Sequence, residues 1–388
     1  MSQQNSTKVV VVGGGLAGTF FAASLMRRVS KKHHLEVTII DKKDFFEVVG
    51  YGTIRSLVSP TYHSNMTHTY SSIASNDHKL VVLSNKKTTN FDLNGKNVTI
   101  SDITSGESDT IVFDYLVIAV GSSYSSFPNL RPAEGVLADR RANLEKINKD
   151  IQGAKHVTIV GGGSVGIELM GELNDHFPSV PVTLIHGKSQ LLERTSKDAH
   201  SYILNWVEKV NKKRPEASKI TILVDDRIDA GSNVTTKGVT LPADTLRFNC
   251  TGPKPNTAGF EAFGIPLDES GRIRVDEHLR VEGHTNVLAL GDANNVVEEK
   301  ISNFARLHAK VAAVNISNEV QGKNTQPLKH VPQEYQSVIM LGKSDAIMVQ
   351  GNSLKGKGKM FAWMKPKIES SIIGVAKNPN AFMSKMFV

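Results

Sequence analysis

The sequence is poor in cysteine and has no long apolar run. Cys250 is the single cysteine in 388 residues, which excludes an internal disulfide and a dithiol redox pair. No stretch reaches the roughly 20 apolar residues of a spanning helix, and the first residues lack the basic and apolar parts of a secretory signal. We therefore expect a cytoplasmic protein without a transmembrane helix, in which a bound cofactor carries any redox chemistry.

The charge balance is basic but moderate. The 46 Lys and Arg residues exceed the 38 Asp and Glu residues by eight. Such an excess is compatible with phosphate-bearing ligands, an anionic membrane or nucleic acid, and does not decide between them. No zinc-ligand spacing, recognition helix or platform of aromatic and basic residues accompanies the charge, so we expect neither a metal site nor nucleic-acid binding.

A run of valines leads into a glycine-rich turn near the start of the chain. The segment KVVVVGGGLAG continues as the apolar FFAASL. This order predicts a buried strand, a turn and a helix whose first N–H groups hold a pyrophosphate. LEVTIID follows as a second strand and ends in an acid that can hydrogen bond an adenosine ribose. The predicted binding residues are Gly13, Gly14, Gly15, Leu16, Ala17, Gly18 and Asp41.

The same pattern recurs in the middle of the chain. HVTIVGGGSVGIELMGEL places Gly161, Gly163 and Gly166 at the corresponding positions, and VPVTLIHG is again a second strand. This strand ends in His186, with Lys188 two residues further, where an acid would hydrogen bond the 2′-hydroxyl of NADH and repel the 2′-phosphate of NADPH. The missing acid favours tolerance of NADPH. Alternatively, His186 caps the strand and cofactor choice lies elsewhere.

The segments between the two turns predict further strands and a hinge. Residues 80–117 alternate as strands do, and predict a small antiparallel layer that leads back to a buried parallel strand ending at Gly121. The segment around Gly252 mirrors this exit, so the chain is predicted to return to the first unit there. Arg55 is a cation that can reach the diphosphate or the adenine, or is a solvated surface residue.

An apolar strand near residue 290 resembles the second fingerprint of flavoproteins. It runs into Gly291 and Asp292, and in proteins with that fingerprint the glycine admits the ligand and the aspartate holds the ribityl hydroxyl of FAD. The glycine at 121 resembles the hinge of flavoproteins that bind two dinucleotides. His308 lies on the following helix, where it either packs or acts directly at the flavin.

The last sixty residues change character. Residues 335–351 predict two strands around a turn, and beyond them lysines are mixed with Met, Phe and Trp. Such a mixture suits a peripheral contact with anionic lipid or, equally, a dimer interface. Pro366 argues against one uninterrupted helix in this segment.

Taken in order, these motifs resemble the apoptosis-inducing-factor homologues of the ferroptosis-suppressor type, which are akin to type II NADH:quinone oxidoreductases. The resemblance implies an FAD enzyme that takes hydride from NADH or NADPH and passes electrons to a quinone, with a link to cell-death control. It implies Glu168 beside the nicotinamide and flavin, with Arg55, Val82 and Asp292 as FAD contacts. A C-terminal lysine near the quinone is also implied, for which Lys365 is the candidate.

Together these features predict an α/β protein with two Rossmann-like dinucleotide-binding domains and a small α+β C-terminal domain. The FAD-binding domain is expected at 1–127 and 253–325, the NAD(P)H-binding domain at 128–252 and the C-terminal domain at 326–388. The catalytic candidates are Glu168, His308 and Lys365. Glu168 has an alternative interpretation as an acid that interacts with the dipole of its helix.

Location and rival functions depend on the same segments. Membrane-bound members of the resembling family begin with Met-Gly for myristoylation, whereas residue 2 here is Ser. Contact with an intracellular membrane, a lipid droplet or the mitochondrial outer surface would therefore rest on the C-terminal segment. The rival function is a redox-sensing flavoprotein of the apoptosis-inducing-factor type that acts through DNA or protein binding.

Overall fold

Two parallel sheets and several small antiparallel sheets make up the computed structural model. It describes residues 6–377 except 49–51, 60, 71–77, 125–129 and 131–134, and describes residues 369–377 by their backbone. The strands are β1 (Thr7–Val12), β2 (Leu35–Ile40), β3 (Phe45–Glu47), β4 (Thr67–Thr69), β5 (Lys79–Leu83), β6 (Lys86–Asp92), β7 (Asn97–Asp102), β8 (Ser108–Val112), β9 (Tyr115–Ile118), β10 (Ser122–Ser123), β11 (Val157–Val160), β12 (Val182–His186), β13 (Ile220–Val224), β14 (Leu246–Asn249), β15 (Lys254–Pro255), β16 (Val287–Ala289), β17 (Gln336–Met340), β18 (Ala346–Gln350) and β19 (Ser353–Lys357). The helices are α1 (Leu16–Arg28), α2 (Thr53–Val58), α3 (His63–Met66), α4 (Leu137–Gly153), α5 (Ser164–His176), α6 (Lys197–Asn211), α7 (Ser302–Val320) and α8 (Lys359–Lys377).

The first sheet has five parallel strands in the order β16-β9-β1-β2-β5. Its central strand β1 is apolar on both faces because both faces are covered. Val9 and Val11 pack in a core with α1 and α7, whereas Val10 and Val12 face a second apolar layer that includes Phe91. Burial on both sides explains why the strand is a continuous run of valines rather than an alternating pattern.

The second sheet repeats the first on a smaller scale. Its four parallel strands have the order β13-β12-β11-β14. Leu144 of α4, Leu169 of α5 and Ile203 of α6 are fully buried against it. The repeated strand–turn–helix pattern of the sequence therefore forms two separate parallel sheets, as predicted.

The C-terminal segment packs onto the second sheet. Strands β17, β18 and β19 form an antiparallel sheet whose Ile339, Ile347 and Val349 belong to the core of the second unit. Met340 forms a smaller core with Ala362 of α8. The predicted pair of strands is confirmed, and a third strand, β19, joins them.

One expectation for residues 80–117 is wrong. Strand β5 does not belong to an antiparallel layer: it pairs in parallel with β2, with Val82 opposite Ile39, and forms the edge of the first sheet. The antiparallel layer consists of β6, β7 and β8. The half-buried side chains of β5 follow from its edge position, and such a pattern does not distinguish a parallel from an antiparallel partner.

The expectation that Pro366 interrupts the last helix is also wrong. Helix α8 runs through Pro366 without a break. The proline removes one backbone donor, but Ala362 and Lys365 in the turn before it are buried against the rest of the molecule and hold this part of the helix in place. Residues 378–388, which include further apolar residues of the predicted membrane contact, lie outside the described part of the chain.

The two predicted crossings between the nucleotide-binding units lie side by side. Strands β10 and β15 pair in an antiparallel manner, and Gly121 and Gly252 precede them with φ values of +65° and +106°. The predicted boundary near residue 127 falls outside the described residues, so the division into domains stays a prediction. None of the described helices has both the length and the apolar character needed to cross a membrane.

A buried ion pair joins β3 to α4. Arg140 donates two hydrogen bonds to the carboxylate of Glu47, at 3.0 and 2.7 Å, and neither side chain is more than 3% exposed. Removal of Glu47 takes away the carboxylate that accepts both of these hydrogen bonds from the buried guanidinium group. We therefore expect Glu47→Ala to lower the free energy of unfolding by about 3 to 5 kcal/mol, measured by urea denaturation.

The matched control is Asp150→Ala. Asp150 pairs with Lys146 one turn away on α4, and both side chains are exposed. Its removal should lower the free energy of unfolding by less than about 0.5 kcal/mol. Equal losses for the two variants would contradict the assignment of a stabilising role to the buried pair.

Candidate functional site

The glycines of the turn between β1 and α1 have distinct surroundings. Gly13 has a φ of +107°, and a Cβ on it would lie 2.3 Å from the carbonyl oxygen of Ala119. A Cβ on Gly18 would lie 2.0 Å from the carbonyl oxygen of Gly13, so this position lets α1 approach the strand. Gly15 precedes the helix without a side-chain cap, and a Cβ on it would meet none of the described residues within 4 Å. The open helix end is suited to a pyrophosphate.

Asp41 faces this turn from the end of β2. Its carboxylate accepts hydrogen bonds from the backbone N–H of Gly14, at 2.5 Å, and of Lys43, at 2.8 Å. The Tyr70 hydroxyl donates to the Gly14 carbonyl oxygen at 3.3 Å. Burial, followed by the charge of Asp41, raises the pKa of Tyr70 well above its ordinary value. The predicted acid thus lies at the turn, in the position where it can meet a ribose.

Gly291 and Asp292 approach the same turn from the end of β16. Gly291 has a φ of +68°, and a Cβ on it would lie 3.3 Å from Cβ of Ala17. Asp292 accepts a hydrogen bond from the Ser122 hydroxyl at 2.6 Å, next to Gly121. The structure therefore brings both predicted fingerprints to one edge of the first sheet. The close approach of Gly291 to Ala17 and the uncapped helix end at Gly15 suit an extended dinucleotide such as FAD.

Two predicted FAD contacts have other described neighbours. Arg55 donates from Nε and Nη2 to Glu172 of α5, at 3.0 and 2.9 Å, and lies over the ring of Tyr62. Val82 is half-buried on the edge strand β5. Arg55 therefore links the two nucleotide-binding units through a carboxylate, and the assignment of both residues to FAD stays a prediction.

The turn between β11 and α5 reproduces the first turn. A Cβ on Gly161, whose φ is +117°, would lie 2.6 Å from the carbonyl oxygen of Cys250, and a Cβ on Gly166 would lie 2.0 Å from that of Gly161. Gly163 precedes α5 without a side-chain cap, and within the described part of the chain a Cβ on it would have no neighbour within 4 Å. Burial raises the pKa of the Cys250 thiol to about 12, which agrees with a packing role for this cysteine.

A large cleft lies between this second turn, the C-terminal sheet and the segment after Asp292. Its volume is about 1620 Å³. The walls include Gly161–Ser164, residues 186–188, residues 295–303, Val338, Met348 and Met364–Lys365. An elongated ligand in this cleft would contact all three parts of the molecule, which is the arrangement expected where two substrates meet one cofactor.

Glu168 and Lys365 meet on the wall of this cleft. Lys365 Nζ donates to Glu168 Oε1, which also accepts from the backbone N–H of Met340 at 3.2 Å. The side chain of Lys365 is 11% exposed and that of Glu168 is 17% exposed, so the pair is partly withdrawn from solvent. Two of the predicted catalytic residues, which are far apart in the sequence, are therefore brought together by the packing of α8 against the second unit.

His308, the third catalytic candidate, is buried behind Gly291. Its Nδ1 accepts the Gly291 N–H at 3.1 Å, and its Nε2 lies 2.7 Å from Glu298 Oε1. His330 Nε2 lies 3.1 Å from the other oxygen of Glu298. Burial lowers the pKa of His308 despite the hydrogen bond to Glu298. The contacts indicate that His308 supports the loop carrying Asp292. A direct role at the flavin stays a prediction.

The cluster of Glu298, His308 and His330 has the composition of a metal site. However, the bond from the Gly291 N–H to Nδ1 of His308 selects the tautomer that carries its proton on Nε2. A metal ligand needs the reverse, a lone pair at the nitrogen that faces the other ligands. The geometry therefore favours a hydrogen-bonded cluster in which Glu298 accepts from both rings.

Sequence reasoning missed Glu298 and Lys300. Lys300 donates to the Val296 carbonyl oxygen at 2.7 Å and to Asn294 Oδ1 at 3.3 Å, and burial, followed by the charge of Arg272, lowers its pKa to about 8. Both residues line the cleft. Their sequence context, a run of two acids and a lysine, is typical of a solvated surface. The one available signal was their position shortly after Asp292.

The sequence is similar to a large family of flavoproteins. The model of the pyridine nucleotide-disulphide oxidoreductase family matches residues 7–314. Ferroptosis suppressor protein 1 from Xenopus tropicalis is 30% identical over 371 residues, which cover 89% of each chain. The match to the family model includes both fingerprints, at residues 13–18 and 291–292.

Solved structures of the same fold extend over the whole chain. A structure of NDH2 from Plasmodium falciparum in complex with NADH has a TM-score of 0.74 and 14% identity, and covers 99% of both chains. The sulfide:quinone oxidoreductase of Aquifex aeolicus has a TM-score of 0.73 and 16% identity, with 99% of this chain and 96% of that chain covered. These likenesses show the fold, including the C-terminal part.

The Glu298 cluster leads to a prediction about pH. Burial opposes ionisation of Glu298, but the hydrogen bonds from His308 and His330 outweigh it and lower the pKa from 4.5 to about 2. The charged carboxylate therefore stabilises the fold above pH 4.5, and this contribution is lost as the pH falls toward 2. We expect the difference in thermal unfolding midpoint between the wild type and Glu298→Gln to shrink over that interval.

The exposed Glu269 provides the control. Glu269→Gln should have nearly the same midpoint as the wild type at every pH, because this side chain is solvated. A difference for Glu298→Gln that stays constant between pH 4.5 and about 2 would show that the folded protein does not stabilise the ionised carboxylate.

Proposed function

The chain belongs to the pyridine nucleotide-disulphide oxidoreductase family, and we propose that it passes electrons from NADH or NADPH through FAD to a quinone-type acceptor. It also belongs to the family of ferroptosis suppressor proteins, which confirms the resemblance seen in its motifs. The chain is accordingly an FAD-dependent oxidoreductase of NADH or NADPH. The quinone, the membrane contact and a role in cell death are the proposed parts.

The observation that carries the proposal is the Glu168–Lys365 pair in the large cleft. The cleft begins at the second glycine turn, where the open N-terminus of α5 suits the pyrophosphate of NADH or NADPH. It continues past Glu168 to the segment that follows Asp292. An electron donor bound along the turn and an acceptor bound near Lys365 would thus share one cleft. The wall of this cleft meets the predicted FAD site at the segment after Asp292.

The first glycine turn and the Asp292 loop would hold FAD. The N-terminus of α1 at Gly15 would receive the pyrophosphate, Asp41 would hydrogen bond the adenosine ribose, and Asp292 would hydrogen bond the ribityl chain. When bound, FAD accepts hydride from the nicotinamide and returns the electrons to the acceptor. The protein supplies the positions of both substrates and the charges around them.

Lys365 can supply a positive charge to the acceptor. Its ammonium group has three N–H donors, of which Glu168 takes one, so others remain to hydrogen bond a quinone oxygen. A positive charge at this oxygen favours its reduction, because negative charge develops there. Glu168 holds the ammonium group at the cleft wall, and Met340 in turn holds Glu168.

The outer side of α8 suits a membrane surface. Met360 and Trp363 are 66% and 64% exposed, and Lys367 Nζ lies 3.4 Å from the centre of the Trp363 ring. Large apolar residues beside lysines are typical of a helix that enters the headgroup region. Met364 and Lys365, next along the same helix, line the cleft. A lipid-soluble quinone would therefore reach the cleft from the surface to which the protein attaches.

We expect the purified protein to be yellow, to lose its visible flavin absorbance on anaerobic addition of NADH or NADPH, and to regain it with a short-chain benzoquinone. Glu168→Gln should slow flavin reduction in stopped flow by about ten- to hundredfold, because the nicotinamide and Lys365 lose a positioning charge. It should keep its FAD, since Glu168 is not part of the first turn.

Two further variants complete this test. Glu208→Gln, an exposed acid on α6, should reduce at the wild-type rate. If the two residues act as a pair, the double variant Lys365→Met with Glu168→Gln should reduce its flavin no more slowly than the slower of the two single variants. A colourless protein, or a reduced flavin that quinone does not reoxidise, would contradict the proposed function.

The membrane contact is tested with vesicles. Trp363→Ala with Met360→Ala should weaken binding to vesicles of phosphatidylserine and phosphatidylcholine by about tenfold or more, because apolar area no longer enters the lipid. Val112→Ala, which removes an exposed apolar residue from β8, should bind as the wild type does. Two results would contradict a membrane-facing α8. One is unchanged vesicle binding by the double variant; the other is a wild type that does not bind vesicles but forms a dimer that the double variant loses.

A further inference from the structure

The two glycine turns differ in the side chain that accepts a hydrogen bond from the middle glycine. In the first turn the N–H of Gly14 donates to the carboxylate of Asp41. In the second turn the N–H of Gly162 donates to Nδ1 of His186 at 3.1 Å. The imidazole therefore takes over the hydrogen bond of the acid while the negative charge of the acid is lost.

The ring of His186 is held in one orientation. Its Nδ1 accepts from Gly162, and its Nε2 donates to the carbonyl oxygen of Gln190 at 3.0 Å. Both nitrogens are used within the turn, so the ring is not directed at a ribose hydroxyl as an acid would be. The repulsion that an acid exerts on a 2′-phosphate is consequently absent.

Arg227 brings a guanidinium group to the same place. The segment after β13 runs beside the end of β12, because the N–H groups of Asp225 and Asp226 donate to the carbonyl oxygens of Lys188 and His186, at 3.0 and 3.1 Å. The Arg227 side chain lies over Gly187, where a Cβ would come within 2.8 Å of its Nε. Gly187 thus provides the room for this arginine.

The guanidinium group of Arg227 is available to a ligand. Its residue is exposed on the wall of the cleft. Within the described part of the chain its side chain forms no ion pair or hydrogen bond. The neighbouring Asp226 is buried, and its Oδ1 accepts from the Thr236 hydroxyl and from the N–H groups of Arg227 and Lys237. This acid therefore has its own partners and does not pair with the guanidinium group.

Lys188 adds a second cation at the rim. Its Nζ lies 3.5 Å from Glu193 Oε1, and both side chains are more than half exposed. Such a pair contributes little and exchanges readily with a bound anion. The end of β12 therefore presents two cations, and an imidazole in place of an acid, at the position where Rossmann units hold the 2′ substituent of adenosine.

We propose that Arg227, with Lys188 and His186, forms a site for the 2′-phosphate of NADPH, and that the protein prefers NADPH to NADH. Arginine is suited to this role because its planar guanidinium group can donate two parallel hydrogen bonds to a phosphate. The inference rests on the proposed use of the second turn for the reduced nucleotide, and is independent of the acceptor.

The test uses 2′,5′-ADP and 5′-AMP as probes, titrated by calorimetry into the FAD-loaded protein. The wild type should bind 2′,5′-ADP more tightly than 5′-AMP. Arg227→Ala should weaken the affinity for 2′,5′-ADP by about tenfold or more and change the affinity for 5′-AMP by less than about twofold. Only the 2′-phosphate loses a hydrogen bond from a charged donor. Arg274→Ala, an exposed arginine at a distant ion pair with Glu282, is the control and should bind both probes as the wild type does.

A second variant tests the role of the missing acid. His186→Asp should weaken the binding of 2′,5′-ADP, because it restores the repelling charge. It should also lower the ratio of kcat/KM for NADPH to kcat/KM for NADH. Equal binding of the two probes by the wild type, or a loss of both in Arg227→Ala, would overturn the 2′-phosphate site while NADH still reduces the flavin. Binding of neither probe, together with no reduction by NADH or NADPH, would overturn the proposed function as well.

Discussion

The ion pair between Glu168 and Lys365 is the contact on which the cleft depends. It joins α5 of the second nucleotide-binding unit to α8 of the C-terminal segment, and both side chains are mostly withdrawn from solvent. A charge in such a place is tolerated when an opposite charge neutralises it, so each residue fixes the position of the other. The wall of the cleft is therefore formed jointly by residues that are far apart in the sequence.

Much of the fold could be predicted because it is specified locally. Gly13 and Gly18 meet two separate steric demands within one turn, and Gly161 and Gly166 meet them again in the second turn. Each demand involves atoms a few residues away or on a neighbouring strand, so a short sequence pattern identifies it. The acid of the first unit could be placed for the same reason, since it ends the next strand.

The remaining features depend on contacts between distant segments. Strand β5 carries no signal for its partner, and α8 continues through Pro366 because other segments pack against it. The neighbours of Arg55 and His308 are Glu172 and Glu298, and no sequence pattern pairs either acid with its partner. Similarly, Arg227 lies beside Gly187 because two parallel strands end together, which no local spacing reveals. Pattern reasoning therefore predicted which segments meet at the candidate site, but not the partners of their side chains.

Both nucleotide-binding units contain segments from late in the sequence, and this affects how the chain folds during synthesis. The first sheet begins with β1 and is completed by β16, and the core of the second unit includes Ile347 and Val349 of β18. Domains usually fold as they leave the ribosome, starting from the N-terminus. Here neither nucleotide-binding unit can complete its core on the nascent chain until late segments have emerged. The second nucleotide-binding unit therefore needs the C-terminal segment to complete its core, and the cleft between them requires that segment to have been synthesised.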